Sequence, residues 1–566
     1  MDARLLDTNA VLDENGDLFL WGYFGVLNYK TAGDGGPGGG PNGAPSAPVY
    51  LADRAIYNPP TRFKALDGLT GVAATAYTVA TIDSDGNLWS WGDFNTFPWF
   101  KDIKGNIVPE KVPDGAKQHN LAASTWQPVA QNVVDVAAAE YAYAYLTSDG
   151  KVWTAGHDSF GQRASGAYGI AKNKKQQSQI PDNFWPVLPT AYGGDGVTPN
   201  KIVALYNGYE GFMAQDEFGN IYAWGRSFES GLGTSGYFLN GCQEDKLKGN
   251  TNHTRNNEGF PYDPETCPVP GAVLTYSKAA GLNGNDWYVV KPIFIPEVTA
   301  LSKAHGGVRK LILGYQHGVL LAEDGSVILW GSDEGNRNGA GRIDWANTGI
   351  EGLRPYVLCL DANLRQPLPE GKNGDVSRRP LTEDSGLCTN VKAVSITATQ
   401  FASSLVTENG EIYAWGSFLL GGAFGTKAQL RGVAPKLDEG EYKQDGYRNN
   451  YSMLHLVWNP ALDAAHRKAV AVGANKDSGI TVLDDGTILT WGENGGGAAC
   501  GGYGYKTCMP DYWGPKTYGA AFPDAVRDKK GPLGDGYYMH NAYADLYIWP
   551  PLPVSNLQSI KLKVTP

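Results

Sequence analysis

The chain has 566 residues, of which 42% are hydrophobic and 19% charged, and this composition excludes an intrinsically disordered chain. Its 47 Lys and Arg against 58 Asp and Glu give a net charge of −11, without a concentrated basic patch. No apolar run reaches the ~18 residues that span a bilayer. Residues 1–12 carry acidic side chains and lack the apolar core of a signal peptide. We therefore expect no nucleic-acid partner and no membrane insertion.

Along the chain, one sequence phrase recurs: a turn ending in Gly, a stretch of alternating residues, and an aromatic residue followed by Gly. The copy Asp85-Gly86-Asn87-Leu88-Trp89-Ser90-Trp91-Gly92 shows all of its parts. Asp-Gly and Asn-Gly favour tight hairpin turns, and the alternation has the period of a β-strand. The copies end at Trp21-Gly22, Trp91-Gly92, Ala155-Gly156, Trp224-Gly225, Trp330-Gly331, Trp415-Gly416 and Trp491-Gly492. We interpret these as structural residues that pack the repeats together, not as ligands.

Two more strands are predicted upstream of each hairpin. One is short and β-rich, such as Val133-Val134-Asp135-Val136, and a Pro-led strand such as Pro355-Tyr356-Val357 often precedes it. Four antiparallel strands make one propeller blade, so the seven copies predict an all-β fold, a single seven-bladed β-propeller over residues 1–566. The first copy lacks its upstream strand, and residues 559–564 supply that pattern. The C-terminal strand is therefore predicted to pair into the first blade and close the ring, which removes an exposed edge.

The order Val-x-x-Val, apolar strand, Asp-Gly and Trp-Gly resembles the repeat of the regulator of chromosome condensation family, and the resemblance covers nearly the whole chain. That family usually has a His early in the second strand, and here only His317 matches. The other copies hold Thr8, Thr78, Ala142, Gly211, Ala402 and Ser478. The family segment Gly-Gln-Leu-Gly after Trp-Gly has Gly161-Gln162 as its nearest match. The chain is thus identified as a divergent member of this β-propeller family.

The spacing between copies varies, which predicts loop insertions at about 30–47, 238–291, 343–385, 425–460 and 503–553. Insertions in repeat proteins often collect on one face, and that face is often the binding one. Their Tyr, Gly and Asn content is typical of binding loops, although large loops also need aromatic residues to pack. The last insertion ends in Trp549-Pro550-Pro551-Leu552-Pro553, which predicts a polyproline II stretch.

The six cysteines fall in pairs within three insertions: Cys242 with Cys267, Cys359 with Cys388, and Cys500 with Cys508. An even number partitioned in this way predicts three local disulfides; the alternative is six reduced thiols. No Cys-x-x-Cys occurs and no His lies at ligand spacing, so a zinc site is not expected.

Several residues were weighed as sites and assigned structural roles. Asp83 to Asn87 and Asp13 to Asp17 resemble calcium loops faintly, but the required downstream Glu is absent and both coincide with hairpin turns. His317 is interpreted as a core histidine satisfied by backbone groups. No phosphate loop, nucleophile elbow or zinc-protease motif is present. The sequence predicts no catalytic residue, no cofactor and no bound metal.

These observations favour a non-enzymatic structural or receptor-binding propeller, on a virion surface (a phage structural protein) or outside the cell. Its insertion loops would bind a protein or a surface glycan, and assembly into a larger complex is a further expectation. Family resemblance implies the alternative: an intracellular protein resembling guanine-nucleotide exchange factors, or a chromatin or other scaffold protein. An enzyme on a propeller scaffold is a third class, for which the sequence offers no residues.

Overall fold

The computed structural model describes seventeen stretches of the chain, and the statements below concern these stretches alone. They are residues 8–22, 58–63, 68–74, 78–92, 127–139, 142–158, 160–166, 177–228, 231–234, 274–276, 286–331, 355–358, 392–399, 402–417, 450–474, 478–493 and 547–553. Almost all regular structure in them is β-strand, as the alternating sequence predicts.

The described strands form seven antiparallel sheets, numbered here in chain order. Sheet one contains β1 (Thr8–Leu12), β2 (Leu18–Gly22) and β3 (Asn58–Phe63). Sheet two contains β4 (Gly71–Ala74), β5 (Thr78–Ile82), β6 (Leu88–Gly92) and β7 (Gln127–Ala130). Sheet three contains β8 (Val133–Ala138), β9 (Ala142–Thr147), β10 (Val152–Gly156) and β11 (Ser178–Gln179). Sheet four contains β12 (Ile202–Tyr206), β13 (Gly211–Asp216), β14 (Ile221–Phe228), β15 (Leu274–Tyr276) and β16 (Asp286–Phe294). Sheet five contains β17 (Val308–Leu313), β18 (His317–Ala322), β19 (Val327–Gly331) and β20 (Tyr356–Leu358). Sheet six contains β21 (Ala393–Ala398), β22 (Ala402–Thr407), β23 (Ile412–Ser417) and β24 (Asn450–Trp458). Sheet seven contains β25 (Ala469–Ala474), β26 (Ser478–Leu483), β27 (Ile488–Glu493) and β28 (Tyr547–Pro553).

A nine-residue helix, α1 (Pro296–Ala304), connects sheets four and five, and three short 3-10 turns span Asp182–Phe184, Thr190–Tyr192 and Pro460–Leu462. Pro296 suits the first helical position because it has no amide hydrogen to leave unpaired there. Within the described residues, no helix is both long enough and apolar enough to cross a membrane.

Two ends of the sheets can be distinguished from the pairing register. The hairpin between the second and third strand of each sheet lies at one end, called here the turn end. In sheets two to seven, the first strand is called here the inner strand. The loop between the inner strand and the second strand lies at the opposite end, called here the loop end, and so does the chain that follows the motif Gly. Each motif Gly pairs with the first residue of the second strand, in the pairs Thr8 with Gly22, Thr78 with Gly92, Ala142 with Gly156, Gly211 with Gly225, His317 with Gly331, Ala402 with Gly416 and Ser478 with Gly492.

The first three strands of a sheet have a constant length. The same number of residues separates the first residue of the inner strand from the motif Gly in sheets three to seven, as the pairs Val133 and Gly156, Ile202 and Gly225, Val308 and Gly331, Ala393 and Gly416, and Ala469 and Gly492 show. Variation in length therefore lies before and after the fourth strand.

The fourth strand corrects one sequence-based assignment. The Pro-led strand was expected to open each unit, yet β20, which begins after Pro355, pairs with β19 and is the outer strand of the preceding sheet. Residues 186 and 187, the second Pro-led example, are not in a strand. Pairing between the outer strand and its sheet is not a local property of the chain, so the sequence order alone did not reveal it.

The last described strand corrects another. The segment containing Pro550 and Pro551 is not free polyproline II but part of β28, which pairs with β27. The register of that pair shifts between Thr490 and Gly492, opposite the two prolines. Proline lacks an amide donor and is tolerated at an edge or a bulge, and β28 offers both. Strands β16, β24 and β28 likewise occupy the ends of the predicted insertions 238–291, 425–460 and 503–553.

Four of the six junctions between successive sheets share one backbone hydrogen bond at the turn end. The Gly carbonyl of one hairpin accepts from the amide at or just before the next inner strand, in the pairs Gly16 with Leu69 (3.1 Å), Gly86 with Val133 (2.9 Å), Gly325 with Ala393 (2.9 Å) and Gly410 with Ala469 (3.1 Å). Neighbouring inner strands thus lie side by side in chain order, which is the arrangement of a β-propeller. The predicted closing strand, residues 559–564, lies outside the described residues, so the seven-blade count and ring closure stay predictions.

The core lies between the sheets. Its largest fully buried side chains are aromatic: Trp224, Trp330, Tyr143, Tyr145, Tyr222, Phe212 and Phe294. One continuous apolar cluster joins sheets three, four and five. These three sheets therefore form the rigid support of the loops at their loop end.

Candidate protein-binding surface

The motif tryptophans whose side chains are described connect adjacent sheets. Trp224 is fully buried, and its Nε1–H donates to the Gln162 carbonyl in sheet three at 2.9 Å. Trp330 repeats this contact one sheet later, donating to the Gly231 carbonyl at 3.0 Å. The side chains of Trp21, Trp91, Trp415 and Trp491 lie outside the description.

The segment that receives each indole reveals a motif copy that sequence reasoning missed. Gln162 to Ser165 and Gly231 to Thr234 occupy equivalent places, because each follows a motif Gly and accepts from the Trp of the next sheet. Ala164 and Gly233 both have positive φ, 48° and 77°. Gly231-Leu232-Gly233 matches the family segment better than Gly161-Gln162 does, and a search for Gly-Leu-Gly after Trp-Gly would have found it.

His317 is fully buried, and a side chain of the next sheet is one of its partners. Its Nε2 lies 2.8 Å from Ser403 Oγ in sheet six. The expectation of a core histidine agrees with this burial, but the described bond is to a hydroxyl across a sheet boundary rather than to backbone. Ser403 follows Ala402, the residue at the matching place in its own sheet.

The calcium-like turns use their carboxylates for the turn itself. Asp83 accepts from the amides of Asp85 (3.0 Å) and Asn87 (2.8 Å) and from the Trp89 indole (2.8 Å). Burial alone would raise the pKa of Asp83, but these donors outweigh it and the pKa is lowered. Asp13 accepts from its own turn in the same way. Among the described residues, no cluster of His, Cys, Asp or Glu has the arrangement of a metal site.

The six cysteines, Cys242, Cys267, Cys359, Cys388, Cys500 and Cys508, all lie outside the described residues. Their predicted pairing stays a prediction.

At the loop end, one cluster joins sheets three, four and five around Arg226. This residue directly follows the motif Gly225, and its guanidinium makes a 2.7 Å ion pair with Glu210 of the loop between β12 and β13. Only 10% of the Arg226 side chain and 8% of the Glu210 side chain are exposed. The same Nη1 donates to the Tyr315 hydroxyl of sheet five at 3.1 Å. Because both charges are removed from water, each one depends on the other as its partner, and the pair tolerates little change in geometry.

Aromatic rings surround the guanidinium. The Arg226 Cζ lies 4.7 Å from the centroid of the Phe160 ring, which belongs to sheet three, and 5.4 Å from that of Tyr315. Tyr209 packs edge-on against Tyr315 at 5.2 Å. Tyr288 packs against Phe160 at 5.4 Å. Cation–π attraction and ring packing therefore fix the Arg226 side chain in one orientation.

The repeat motif positions this cluster. Gln162 receives the Trp224 indole with its carbonyl, and its side chain accepts from the Phe160 amide at 2.8 Å. Trp224 thereby holds the turn that presents Phe160 to Arg226. The Arg226 amide donates to the Glu210 carbonyl at 3.0 Å, which fixes the other side. Tyr209, Tyr315 and Phe160 remain partly exposed, so the cluster reaches the surface at the loop end.

None of these cluster residues was identified from the sequence as a site. The signal was present in part: Tyr209 and Tyr315 each stand two residues before the second strand of their sheets. Phe160 and Arg226 carry no such mark, because only the packing of three sheets brings them together. The cluster presents three partly exposed aromatic residues, Tyr209, Tyr315 and Phe160, around a buried arginine that fixes their arrangement.

Comparisons with known proteins agree with the repeat. No family model matches the chain. It is 25% identical over 235 residues to the RCC1 domain-containing protein RUG3, mitochondrial, of Arabidopsis thaliana (40% of this chain, 42% of the relative). It is 24% identical over 304 residues to the ultraviolet-B receptor UVR8 of the same plant (44% and 60%), and 21% identical over 340 residues to protein pim1 of Schizosaccharomyces pombe (59% and 47%). The chain spans about half the length of these curated relatives.

Among solved structures, the chain is similar to one in the crystal structure of Kap60 bound to yeast RCC1 (Prp20), with a TM-score of 0.49 and 15% identity over 88% of this chain and 82% of that one. It is also similar to human WBSCR16, with a TM-score of 0.47 and 13% identity over 86% and 90%. The recurring hairpin with its Trp-Gly motif and the similarity to the curated relatives agree, and both support a divergent relative of the RCC1-repeat proteins.

Proposed function

We propose that the chain is a non-enzymatic, protein-binding β-propeller that engages its partner through the loop end of sheets three to five. The observation that carries this proposal is the Arg226 cluster, in which an arginine is held between Phe160 and Tyr315 and paired with Glu210. Tyr is enriched among residues that dominate binding energy, and such residues act best when they are already oriented, as Tyr209 and Tyr315 are by this cluster.

The intracellular scaffold or exchange-factor role is favoured over the virion or extracellular role. The similar proteins support it, and one of them, RUG3, is a mitochondrial protein. The net charge of −11 favours a protein surface over bare nucleic acid, because an acidic molecule repels phosphates. A histone or a small GTPase is the partner class to try first, since one solved relative, Prp20p, is described by its binding to Gsp1p and histones.

The test measures binding of the purified chain to a nucleotide-free small GTPase and to core histones, together with release of labelled GDP from the GTPase. We expect one of these partners to bind, and Tyr209→Ala and Tyr315→Ala each to weaken that binding about tenfold or more, as loss of a hot-spot aromatic does. Tyr315→Phe should weaken it less, because the ring against Arg226 is kept.

Lys151→Ala is the matched control, because Lys151 makes an exposed ion pair with Asp182 at the opposite end of sheet three. It should bind as the wild type does. Equal affinity of the wild type and both tyrosine variants would exclude the loop end as the binding surface. GDP release without change would favour a scaffold over an exchange factor.

The cellular compartment is tested separately by alkylating the native, unreduced protein and counting free thiols by intact mass. Six free thiols would support the intracellular assignment. Three disulfides that map within the insertions would restore the extracellular or virion-surface assignment.

A further inference from the structure

The exposed apolar side chains of the described residues are gathered at one end of the molecule. Five large ones are exposed: Val134 (56%), Val197 (77%), Val203 (47%), Phe218 (48%) and Val394 (38%). They stand near the start of an inner strand, in a hairpin, or in the linker before an inner strand. All of these places are at the turn end. Four of the five residues belong to sheets three and four, which adjoin. Exposed apolar residues that cluster in this way mark an interaction surface.

Phe218 occupies a place where folding favours another residue type. It stands directly before the hairpin Gly of sheet four, and the other six hairpins hold Asp or Asn there: Asn15, Asp85, Asp149, Asp324, Asn409 and Asp485. Asp-Gly and Asn-Gly are the residues that such turns prefer. In sheet four the turn is held by Asp216, which accepts from the amides of Phe218 (2.9 Å) and Asn220 (2.8 Å). The ring of Phe218 therefore contributes nothing that the turn needs.

Three of the exposed valines stand at β-bulges. The inner strands of sheets three, four and six shift register between Val133 and Asp135, between Ile202 and Ala204 and between Ala393 and Ser395, so the extra residues are Val134, Val203 and Val394. A bulge re-aims a side chain away from the regular pleat. The inner strands of sheets three and four are joined, since Asp135 accepts from the Leu205 amide at 2.8 Å. Val134 and Val203 thus stand on neighbouring inner strands at the turn end.

The linker before sheet four brings Val197 to the same surface. Phe218 packs over Gly193, because a Cβ placed there would lie 2.4 Å from the ring. Asn200 donates to Asp216 at 2.7 Å, and the Glu217 amide donates to the Lys201 carbonyl at 2.9 Å. Both ends of the linker therefore contact the hairpin that carries Phe218. We call Val134, Val197, Val203 and Phe218 the apolar patch.

The charges around the apolar patch have both signs. Lys151 pairs with Asp182 at 2.7 Å. The Glu217 carboxylate accepts from the backbone amide of Lys201 at 3.3 Å, so an acidic and a basic residue are neighbours where β12 begins and β13 ends. Asp195 adds a carboxylate whose pKa is lowered to about 2 by bonds from Thr198 and Val197. A rim of one sign would call for a partner of the opposite sign, whereas a rim that carries both signs is compatible with a second copy of the same surface.

We propose that the apolar patch is the centre of a two-fold interface with a second copy of this chain, with Phe218 as its anchor. Isologous interfaces use the same surface on both subunits, which requires an apolar centre and a rim carrying both signs. The loop end stays free in such a dimer, so this interface and the partner-binding surface are independent.

The test is sedimentation velocity over a wide concentration range. We expect the wild-type protein to be a reversible dimer, and Phe218→Asp to raise the dissociation constant about tenfold or more. This variant introduces the residue that four other hairpins carry at the same place, so its turn is expected to fold. Circular dichroism and the melting temperature check that expectation.

The control is Val394→Asp, which places the same charge on an exposed valine at the turn end of sheet six, outside the apolar patch. It should dimerise as the wild type does. A wild-type protein that stays monomeric at every concentration would overturn the proposal, and so would a Phe218→Asp variant as dimeric as the wild type. Unchanged binding of the loop-end partner by Phe218→Asp would confirm that the two surfaces are separate.

Discussion

Single carboxylates hold the hairpin turns, and their surroundings differ from sheet to sheet. Asp216 is almost fully buried and accepts from the side chains of Asn200 (2.7 Å), Asn220 (2.7 Å) and Tyr222 (2.9 Å) besides two amides of its own turn. Asp83 makes a similar set of bonds from a more exposed position. One residue type at one place in the repeat thus carries very different energies.

The Asp216→Ala variant should lose about 3 kcal/mol of unfolding free energy, because it leaves the buried donors of Asn220 and Tyr222 without an acceptor. Asp83→Ala should lose about 1 kcal/mol, since water can replace the acceptor there. Chemical denaturation followed by circular dichroism measures both. Equal losses in the two variants would show that burial does not set the value.

A second carboxylate makes stability depend on pH. The bidentate bond from Arg467 lowers the pKa of Asp463 from its usual 3.8 to about 2, so the folded state favours the charged carboxylate. The resulting stabilisation is present above about pH 4 and is lost as the pH falls towards 2. The unfolding free energy of the wild type should therefore approach that of Asp463→Asn over this interval. A difference between them that is constant with pH would contradict the assignment.

Among single residues, the sequence predicted those whose role depends only on their neighbours in the chain. The Asp-Gly turns were predicted because a turn needs only neighbours in the chain. Arg226 was not, because its partners Glu210, Phe160 and Tyr315 come from three sheets and no spacing links them. The apolar patch was not predicted for a different reason: in the sequence, Phe218 stands out only when its hairpin is compared with the other six.

Among the elements, the third strand combines two demands in one dipeptide. In sheets four and five the motif Trp reaches into the previous sheet, and the Gly after it lies against the start of the second strand. Gly225 has a φ of 106°, and a Cβ there would lie 2.5 Å from Gly211 Cα and 2.7 Å from the Glu210 carbonyl oxygen. Both the conformation and the space require glycine.

The Gly225→Ala variant should therefore lose about 3 kcal/mol of unfolding free energy through strain and overpacking. Gly196→Ala is the matched control: its φ is 72°, and no atom lies within 4 Å of the position of its Cβ. It should lose only about 1 kcal/mol, the cost of the left-handed conformation. Thermal melting of the two proteins separates the contributions, and similar melting temperatures would contradict the packing argument.

The hairpins could be predicted from the sequence because both of their strands and the turn are continuous in the chain. The outer strands could not, since β20 and β28 pair with strands far upstream, across segments of irregular length. The bulges at Val134 and Val203 also left no mark, because an extra residue in one strand is defined only by its partner.

In the whole molecule, four junctions between described sheets carry a backbone bond from the hairpin of one sheet to the start of the next inner strand. Sheet one is described with three strands, and β1 is its inner edge. The sequence predicts that residues 559–564 pair there. If so, both chain ends depend on one contact.

Removal of residues 554–566 should lower the melting temperature and expose the β1 amides to hydrogen exchange before those of the other sheets, because an edge strand without its neighbour opens first. Removal of residues 565–566 alone should change neither property. Unchanged exchange in β1 after the longer truncation would show that the ring is not closed by this strand.

The constant length of the first three strands also decides where this scaffold tolerates change. A segment added after Gly156 or Gly331 leaves the described bonds between hairpins and the next inner strands in place. A single residue added to an Asp-Gly hairpin would displace the carbonyl that binds the next sheet, as at Gly325 and Ala393. Evolution, or an engineer who grafts a recognition peptide, can therefore diversify the loop end without disturbing the framework that carries it.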